Sequence, residues 1–357
     1  MRWKIHSEHV CSTDGACIFS IDEGITDNTH TKSAESNRYF FMNWKRFITF
    51  ILALALVHAF QMSWLCDDAF LSFRYAEHLS QGKGLVFNEG EYVEGYSNFL
   101  WTVMLALGIA LGIEPEVLSI IMGLFFFSGT LMVLSKIGKG LLAPLSVAAI
   151  YHMRVFATSG LESSLFWFLL VCVISTLLTN RYKICAFFSV LCVFCRPEGM
   201  VVIPLVFFSL PSNRTRFLLY TLVPTAIYFL WKFWYFGDFL PNTYWAKGSE
   251  PRWEQGSQYL SLVFGMYGLC TLGWVACFRI SSPVKRFLLG FSFVLTLQLW
   301  KGGGGFMYAR LALPIILCLV ISMELWASQY ISKKYYHPDK RNNTLIDSIK
   351  KIFSNFF

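Results

Sequence analysis

Residues 66–101 read CDDAFLSFRYAEHLSQGKGLVFNEGEYVEGYSNFLW, a polar stretch set between two of the most apolar runs in the chain. Asp67 and Asp68 follow the run at 47–65 with a single residue between. Bringing a carboxylate to a membrane boundary costs free energy, and acids in such places commonly mark functional sites. The competing reading is a helix start, because Asp is favoured as an N-cap ahead of the amphipathic residues 69–78. Gly82-Lys83-Gly84 and Asn88-Glu89-Gly90 supply turn chemistry, so a folded loop is expected after the helix. Glu94, Tyr96, Asn98 and Trp101 then lead back into apolar sequence, with Trp101 read as an interfacial anchor rather than a ligand contact.

Working outward, 55% of the 357 residues are hydrophobic and 15% charged, with a mean hydropathy of +0.50. A soluble chain of that composition could not cover itself with polar surface. The formal charge of +8 does not indicate nucleic acid, since Lys and Arg lie between apolar runs and in the C-terminal tail instead of forming one stripe. Cys11 and Cys17, with His6 and His9, match no zinc-ligand spacing. The first 41 residues are polar, lack the apolar core of a signal peptide, and read as a disordered cytosolic extension or as sequence upstream of a start at Met42. Residues 42–330 form the membrane domain, and 331–357 a basic cytosolic tail.

Apolar runs occur at 47–65, 99–113, 117–134, 141–151, 165–178, 184–195, 200–210, 217–235, 260–278, 287–300 and 311–326. The pattern predicts an all-α bundle of about 10 transmembrane helices, a crossing needing roughly 20 apolar residues. Shorter runs near Ser159 and Arg196 predict re-entrant pieces, which are tolerated only when buried in protein or lining a cavity. Lys45 and Arg46 place the N-terminus in the cytoplasm, so residues 66–98 form a periplasmic first loop. The segments around 196–199, 236–247 and 301–310 then reach the same outer face. For that parity, residues 99–151 must cross an odd number of times although they hold three runs, so one run is expected to re-enter.

The outer face gathers the chemistry-bearing residues. A cavity-facing Asp67 or Asp68 can take the proton of a hydroxyl attacking an anomeric carbon, and adjacent like charges raise one of two carboxyl pKa values. Glu162, Arg196, Glu198, Lys247 and Arg310 sit where apolar helices begin or end. Guanidinium and ammonium groups there can stabilise a phosphate leaving group or simply snorkel to headgroups. Arg196-Pro197-Glu198-Gly199 predicts a tight bend in which Arg196 and Glu198 pair structurally. Gly302–Gly305 is no P-loop, lacking a following Lys-Ser/Thr, and suits close backbone approach. His78, His152 and His337 show no ligand spacing and are not nominated.

Several ordered blocks resemble a known group: Asp67-Asp68-Ala69-Phe70, Phe73-Arg74-Tyr75-Ala76, Gly84-Leu85-Val86-Phe87-Asn88 and Val93-Glu94-Gly95-Tyr96-Ser97-Asn98, then Ser159-Gly160-Leu161-Glu162, Arg196-Pro197-Glu198-Gly199, Tyr235-Phe236-Gly237-Asp238, Leu240 to Lys247, and Met307-Tyr308-Ala309-Arg310 with Pro314. Over about residues 43 to 330 the chain resembles the GT-C membrane glycosyltransferases, nearest to the polyprenyl-phosphate-dependent terminal arabinofuranosyltransferases and their Gram-negative relatives. The resemblance implies a GT-C bundle in the bacterial inner membrane with its active site facing the periplasm. It implies a polyprenyl-phosphate sugar donor and an envelope glycan, lipid or pilin acceptor. Asp67 or Asp68 is the implied base, with the balance toward Asp67. The implied substrate-binding set is Arg74, Tyr75, Glu94, Tyr96, Asn98, Glu162, Arg196, Glu198, Asn242, Lys247 and Arg310. Agreement with the family blocks favours phosphate binding over snorkelling for Lys247 and Arg310. No cofactor is implied, and a divalent metal is left open. Two departures stand out. Gly305 replaces an acidic residue of the family, which bears on the sugar, and no large external domain follows the last run, so acceptor recognition is expected to differ or lie in a partner. A lipid-linked sugar transporter or flippase, or an inactive scaffold, are the alternatives. Against transport, the 67–98 block has no internal repeat.

Overall fold

The computed structural model describes residues 49–138, 140–242, 250–305 and 307–335. The chain divides after Thr49, and the unit described here is Phe50–Phe357. Its elements are α-helices and two short 3-10 turns, with no strand among the described residues. The expected extension at 1–41 and most of the tail at 331–357 lie outside the described residues.

The helix α1 (Thr49–Gln61) leads through a turn to α2 (Asp67–Ser80), where residue spacing decides the packing. Ala69, Ser72, Phe73 and Ala76 fall on one face at helical spacing and are buried, and that face packs on α3 (Phe99–Ala110). Next come α4 (Pro115–Leu134), started by Pro115 at its first turn, and the short pair α5 (Leu142–Ala149) and α6 (Tyr151–Ala157). The next helices, α7 (Ser163–Leu178) and α8 (Tyr182–Cys195), are followed by the 3-10 turn Pro197–Val201 and α9 (Val202–Ser209). The chain continues through α10 (Arg214–Phe236), α11 (Trp253–Met266), α12 (Gly268–Arg279), α13 (Val284–Gly302), the 3-10 turn Arg310–Ala312 and α14 (Leu313–Tyr335).

Three segments are long and apolar enough to cross a membrane: α4, α10 and Arg310–Ser332. The pair α11 and α12, bent by 91° at Tyr267, makes a fourth if it is one broken span. Other apolar helices are shorter. At 1.5 Å per residue the 12 residues of α3 reach only about 18 Å, against a hydrocarbon core of about 30 Å. The apolar runs therefore become helices of unequal reach rather than ten equal spans. The run at 141–151 breaks at Ile150 into α5 and α6, each far too short to cross, and this is one of the three runs among which a re-entrant piece was expected.

Burial separates the inside of the bundle from its lipid-facing side. The apolar window of Arg310–Ser332 is 72% buried, whereas that of α10 is 17% buried. Leu219, Leu222, Val223, Ile227 and Leu230 form an exposed stripe on α10 suited to acyl chains. By contrast α7, buried along most of its length, packs between α4 and α8, while α14 packs against α12, α13 and α5. The Pro197–Val201 turn folds back on α8 closely enough that a Cβ at Gly199 would lie 2.0 Å from the Cys192 carbonyl oxygen. Only glycine permits that approach, and it carries Arg196 and Glu198 to the interior.

Candidate active site

A cavity of about 800 Å³ opens beside the junction of α1 and α2. Trp64, Cys66 and Asp67 line it from that junction, His152 and Phe156 from α6, and Met307 and Tyr308 from the segment after α13. Its walls are largely aromatic and apolar, with Asp67 as the carboxylate, the makeup of a small-molecule site. Tyr308 is held at φ +45°, a left-handed conformation that costs a residue with a Cβ about 1–2 kcal/mol. Backbone outliers of this kind cluster at functional sites.

Local folding fixes Asp67. Cys66, not an aspartate, occupies the N-cap position of α2, in extended conformation and without a side-chain capping bond. Asp67 and Asp68 are therefore first-turn residues, where a carboxylate is favoured by the helix dipole, and the N-cap reading of either is corrected. The Cys66 backbone N–H donates to the Ser159 carbonyl at 3.0 Å, tying the start of α2 to the Ser159-Gly160-Leu161-Glu162 block. Asp67 Oδ1 accepts from the Cys66 thiol at 3.2 Å and from the Asp68 N–H at 3.0 Å. These two bonds, the thiol's first, hold the Asp67 pKa below its ordinary value. The thiol itself is pushed up to about 11, chiefly by burial and then by its bond to Asp67, so it stays a donor. Among the described residues Oδ2 of Asp67 has no hydrogen-bond partner. Both aspartates are exposed, but Asp68 does not line the cavity.

Behind the wall lies a buried ionic network centred on Glu162. Its carboxylate accepts from Arg196 Nη1, from Arg310 Nη2 at 3.0 Å and from Asn98 Nδ2 at 3.0 Å. Burial alone would raise the Glu162 pKa, but the Arg310 and Arg196 guanidiniums outweigh it and hold the group ionised. Arg196 also grips Glu198 through Nε at 3.2 Å and Nη2 at 2.9 Å, so the expected structural pair forms. Asn98 in turn bonds Ser72 and accepts from the Thr102 hydroxyl at 3.2 Å. The link to the cavity is Arg310, which donates to the Ser163 hydroxyl at 3.1 Å and to the Met307 sulfur at 3.1 Å. That sulfur lies 3.9 Å from the Cys66 sulfur. Asp67 and Arg310 are thus neighbours through one thiol and one thioether.

Comparison with known proteins fits this arrangement. No protein-family model matches the chain. It is 28% identical over 331 residues to a terminal beta-(1->2)-arabinofuranosyltransferase of Mycobacterium tuberculosis, covering 73% of this chain and 52% of that protein. A second protein so named, from Corynebacterium glutamicum, is 29% identical over 276 residues, covering 64% of this chain and 40% of its own length. Among solved structures, ArnT from Cupriavidus metallidurans, crystallised bound to undecaprenyl phosphate, superposes with a TM-score of 0.56 at 13% identity, over 82% of this chain and 63% of that one. The fold is GT-C, and the relatives are terminal arabinofuranosyltransferases. This chain is a multi-pass membrane protein that spans about half the length of its curated relatives.

Within this GT-C fold the remaining nominated residues separate into places. Glu94, Tyr75 and Tyr96 form a second cluster between the first loop and α10. Glu94 pairs with Lys232 at 2.7 Å, both nearly inaccessible, and its carbonyl accepts the Asn242 N–H at 2.9 Å. Burial raises the Glu94 pKa more than Lys232 lowers it. The Tyr75 hydroxyl donates to the Val93 carbonyl at 2.7 Å and accepts from the Gly95 N–H at 2.9 Å, which makes it a brace of the loop. The Tyr96 ring packs edge-on against it at 4.7 Å, and its buried hydroxyl has no partner among the described residues. Arg74 is exposed and donates to the Phe87 carbonyl at 3.4 Å, outside the cavity lining. Lys247 lies outside the described residues. Trp101 is fully buried and donates its indole N–H to the Gly160 carbonyl at 3.0 Å, so it is an interior bolt and not an interfacial anchor.

Sequence reasoning missed four contributors. Lys232 sits inside an apolar run, and a charge there was itself the signal. Cys66 and Met307 look like ordinary apolar residues, and only folding across 241 positions of sequence brings their sulfurs together. His152 carries no ligand spacing, because a side chain acting alone on a cavity wall leaves no pattern in the sequence. At the departure from the family pattern, a Cβ on Gly305 would lie 2.8 Å from Leu311 Cδ1, so a larger side chain there requires Leu311 to move. Among the described residues no three His, Cys, Asp or Glu side chains converge as metal ligands.

Proposed function

We propose that the chain is a membrane glycosyltransferase moving a sugar, arabinofuranose or another pentose or hexose, from a polyprenyl-phosphate donor to an extracytoplasmic acceptor at the periplasmic face of a bacterial inner membrane. The acceptor class is an envelope glycan, lipid or pilin. The observation that carries the reading is Asp67, its Oδ2 without a partner among the described residues, on the wall of an aromatic cavity beside Arg310. The names of the relatives and the undecaprenyl phosphate bound by ArnT support the same chemistry.

In this reading Asp67 Oδ2 takes the acceptor hydroxyl proton as that oxygen bonds to the anomeric carbon. The bond from that carbon to the phosphate oxygen breaks, and polyprenyl phosphate leaves with the electron pair. Arg310 meets the growing negative charge by charge-assisted hydrogen bonding. Glu162 holds the guanidinium in place, with Arg196, Asn98 and Glu198 as its supports. Lys247 joins the phosphate-binding set as a further cation.

The test is turnover of a polyprenyl-phosphate pentose by the purified protein in liposomes, joined to mass spectrometry of envelope glycans, lipid A and pilin from a deletion strain. Release of polyprenyl phosphate together with loss of one sugar from one of those acceptors is the expected result. Movement of intact lipid-linked sugar between leaflets without release would establish transport instead.

A further inference from the structure

His152 takes no part in the chemistry above, yet its surroundings are those of a recognition residue. It lines the cavity together with Asp67. Its Nδ1 is joined by a short hydrogen bond to the Tyr267 hydroxyl, and Tyr267 is the elbow at which α11 and α12 bend by 91°. The ring is further fixed by stacking on Phe156 at 6.5 Å and by the Tyr308 ring at 6.0 Å. Among the described residues its Nε2 has no partner. Burial lowers the imidazole pKa, so the ring is neutral at pH 7 and Nε2 is either an N–H donor or a lone-pair acceptor, according to which way the Tyr267 hydroxyl points. Residues held in one orientation by a second hydrogen bond are the kind that recognise a ligand through a single fixed atom.

We propose that His152 is a sugar-binding residue of this cavity, its Nε2 hydrogen-bonding a hydroxyl of the donor sugar while Tyr267 holds the ring. The inference rests on the proposed lipid-linked sugar donor and adds what reads the sugar. A neutral imidazole suits a hydroxyl, whereas the phosphate is left to Arg310. A single neutral hydrogen bond accounts for a roughly threefold to tenfold gain in affinity.

Trp64 lines the same cavity, so tryptophan fluorescence of the full-length protein in nanodiscs can report binding of two probes: polyprenyl phosphate alone and the same lipid carrying a pentose. In the unaltered protein the sugar should tighten binding. His152→Phe keeps the aromatic volume against Phe156 and Tyr308 and removes Nε2. It should abolish most of the sugar's increment while leaving affinity for the bare lipid phosphate unchanged. Tyr267→Phe, which removes only the brace, should lose part of it. A full sugar increment in His152→Phe would overturn the inference and leave the proposed function standing. Equal affinity of the unaltered protein for both lipids would overturn both. Should His152→Phe fail to accumulate, His152→Leu is the second variant: loss of the sugar increment with bare-lipid binding intact supports the inference, and a full increment overturns it.

Discussion

Asp67 and Asp68 are adjacent in sequence and different in circumstance. The first turn of α2 directs Asp67 to the cavity wall, where a thiol and a backbone N–H occupy one carboxylate oxygen and the other has no partner among the described residues. Asp67→Asn keeps the shape and removes the proton acceptor, so turnover should fall about 10²–10⁴-fold with protein level and lipid-phosphate binding maintained. Asp68→Asn should retain activity within a few-fold of the unaltered protein, and equal losses in the two variants would sink the assignment. The lowered pKa of Asp67 also fixes a sign. With Asp67 as the proposed base, ionised from neutral pH down into the ordinary carboxylate range, the acid limb of kcat/KM should lie below that ordinary range. A limb near neutral pH would point to a different base. Glu162 is the other residue with a defined cost. Glu162→Gln leaves Arg196 and Arg310 facing each other without their shared counter-charge, which should destabilise the protein by about 3–5 kcal/mol and be read as a fall in melting temperature with loss of turnover. Arg310→Lys keeps a charge but loses the fork that reaches Glu162, Ser163 and Met307 together, so it should rescue stability poorly.

Among the elements, the C-terminal end of α10 is the least like its sequence. It reads as an apolar run, yet Lys232 is buried there against Glu94 and lies over the Tyr228 and Phe229 rings at 5.7 and 5.6 Å. The same end presents Tyr235, whose hydroxyl accepts the Leu85 N–H at 2.8 Å. Helix and first loop are thus clasped at two points, and the carbonyl of Glu94 holds the Asn242 N–H as well. Lys232→Met removes one partner and leaves a buried carboxyl, so melting temperature and turnover should both fall. The double variant Glu94→Gln, Lys232→Met should recover part of the stability, because removing both charges removes the desolvation cost along with the attraction. A double variant no better than the sum of its parts would show that the pair is not coupled. The burial of Lys232 also shows where sequence reading stops. The composition and the alternation of apolar runs with basic loops were enough for an all-helical membrane fold, because lipid permits little else. The partner of a single buried charge depends on contacts across 138 positions of sequence, from Glu94 to Lys232, and no local pattern records them.

At the scale of the molecule, the proposed transfer depends on sidedness. The Asp67 junction, the Glu162 block, the Arg196 bend and Arg310 come from four distant parts of the sequence and meet in one hydrogen-bonded neighbourhood. The pattern of basic loops predicts all four on one outer face, since Lys and Arg concentrate on the cytoplasmic side. The ordered blocks made the same grouping legible, whereas the sulfur contact between Cys66 and Met307 and the brace between His152 and Tyr267 were not, because neither residue type signals its partner. Sidedness itself can be tested on polar positions at the two ends. Glu89 and Lys301 lie on the proposed outer side, Lys183 and Lys285 on the proposed inner side. The helix α13 carries Lys285 near its start and Lys301 near its end, about 24 Å apart along the axis at 1.5 Å per residue. Cysteines introduced singly at Glu89 and Lys301 should react in intact cells with a membrane-impermeant maleimide. Those at Lys183 and Lys285 should react only after permeabilisation. If Glu89 and Lys301 label from opposite sides, the first loop and the Arg310 segment cannot share a periplasmic face, and the proposed transfer at that face fails with them.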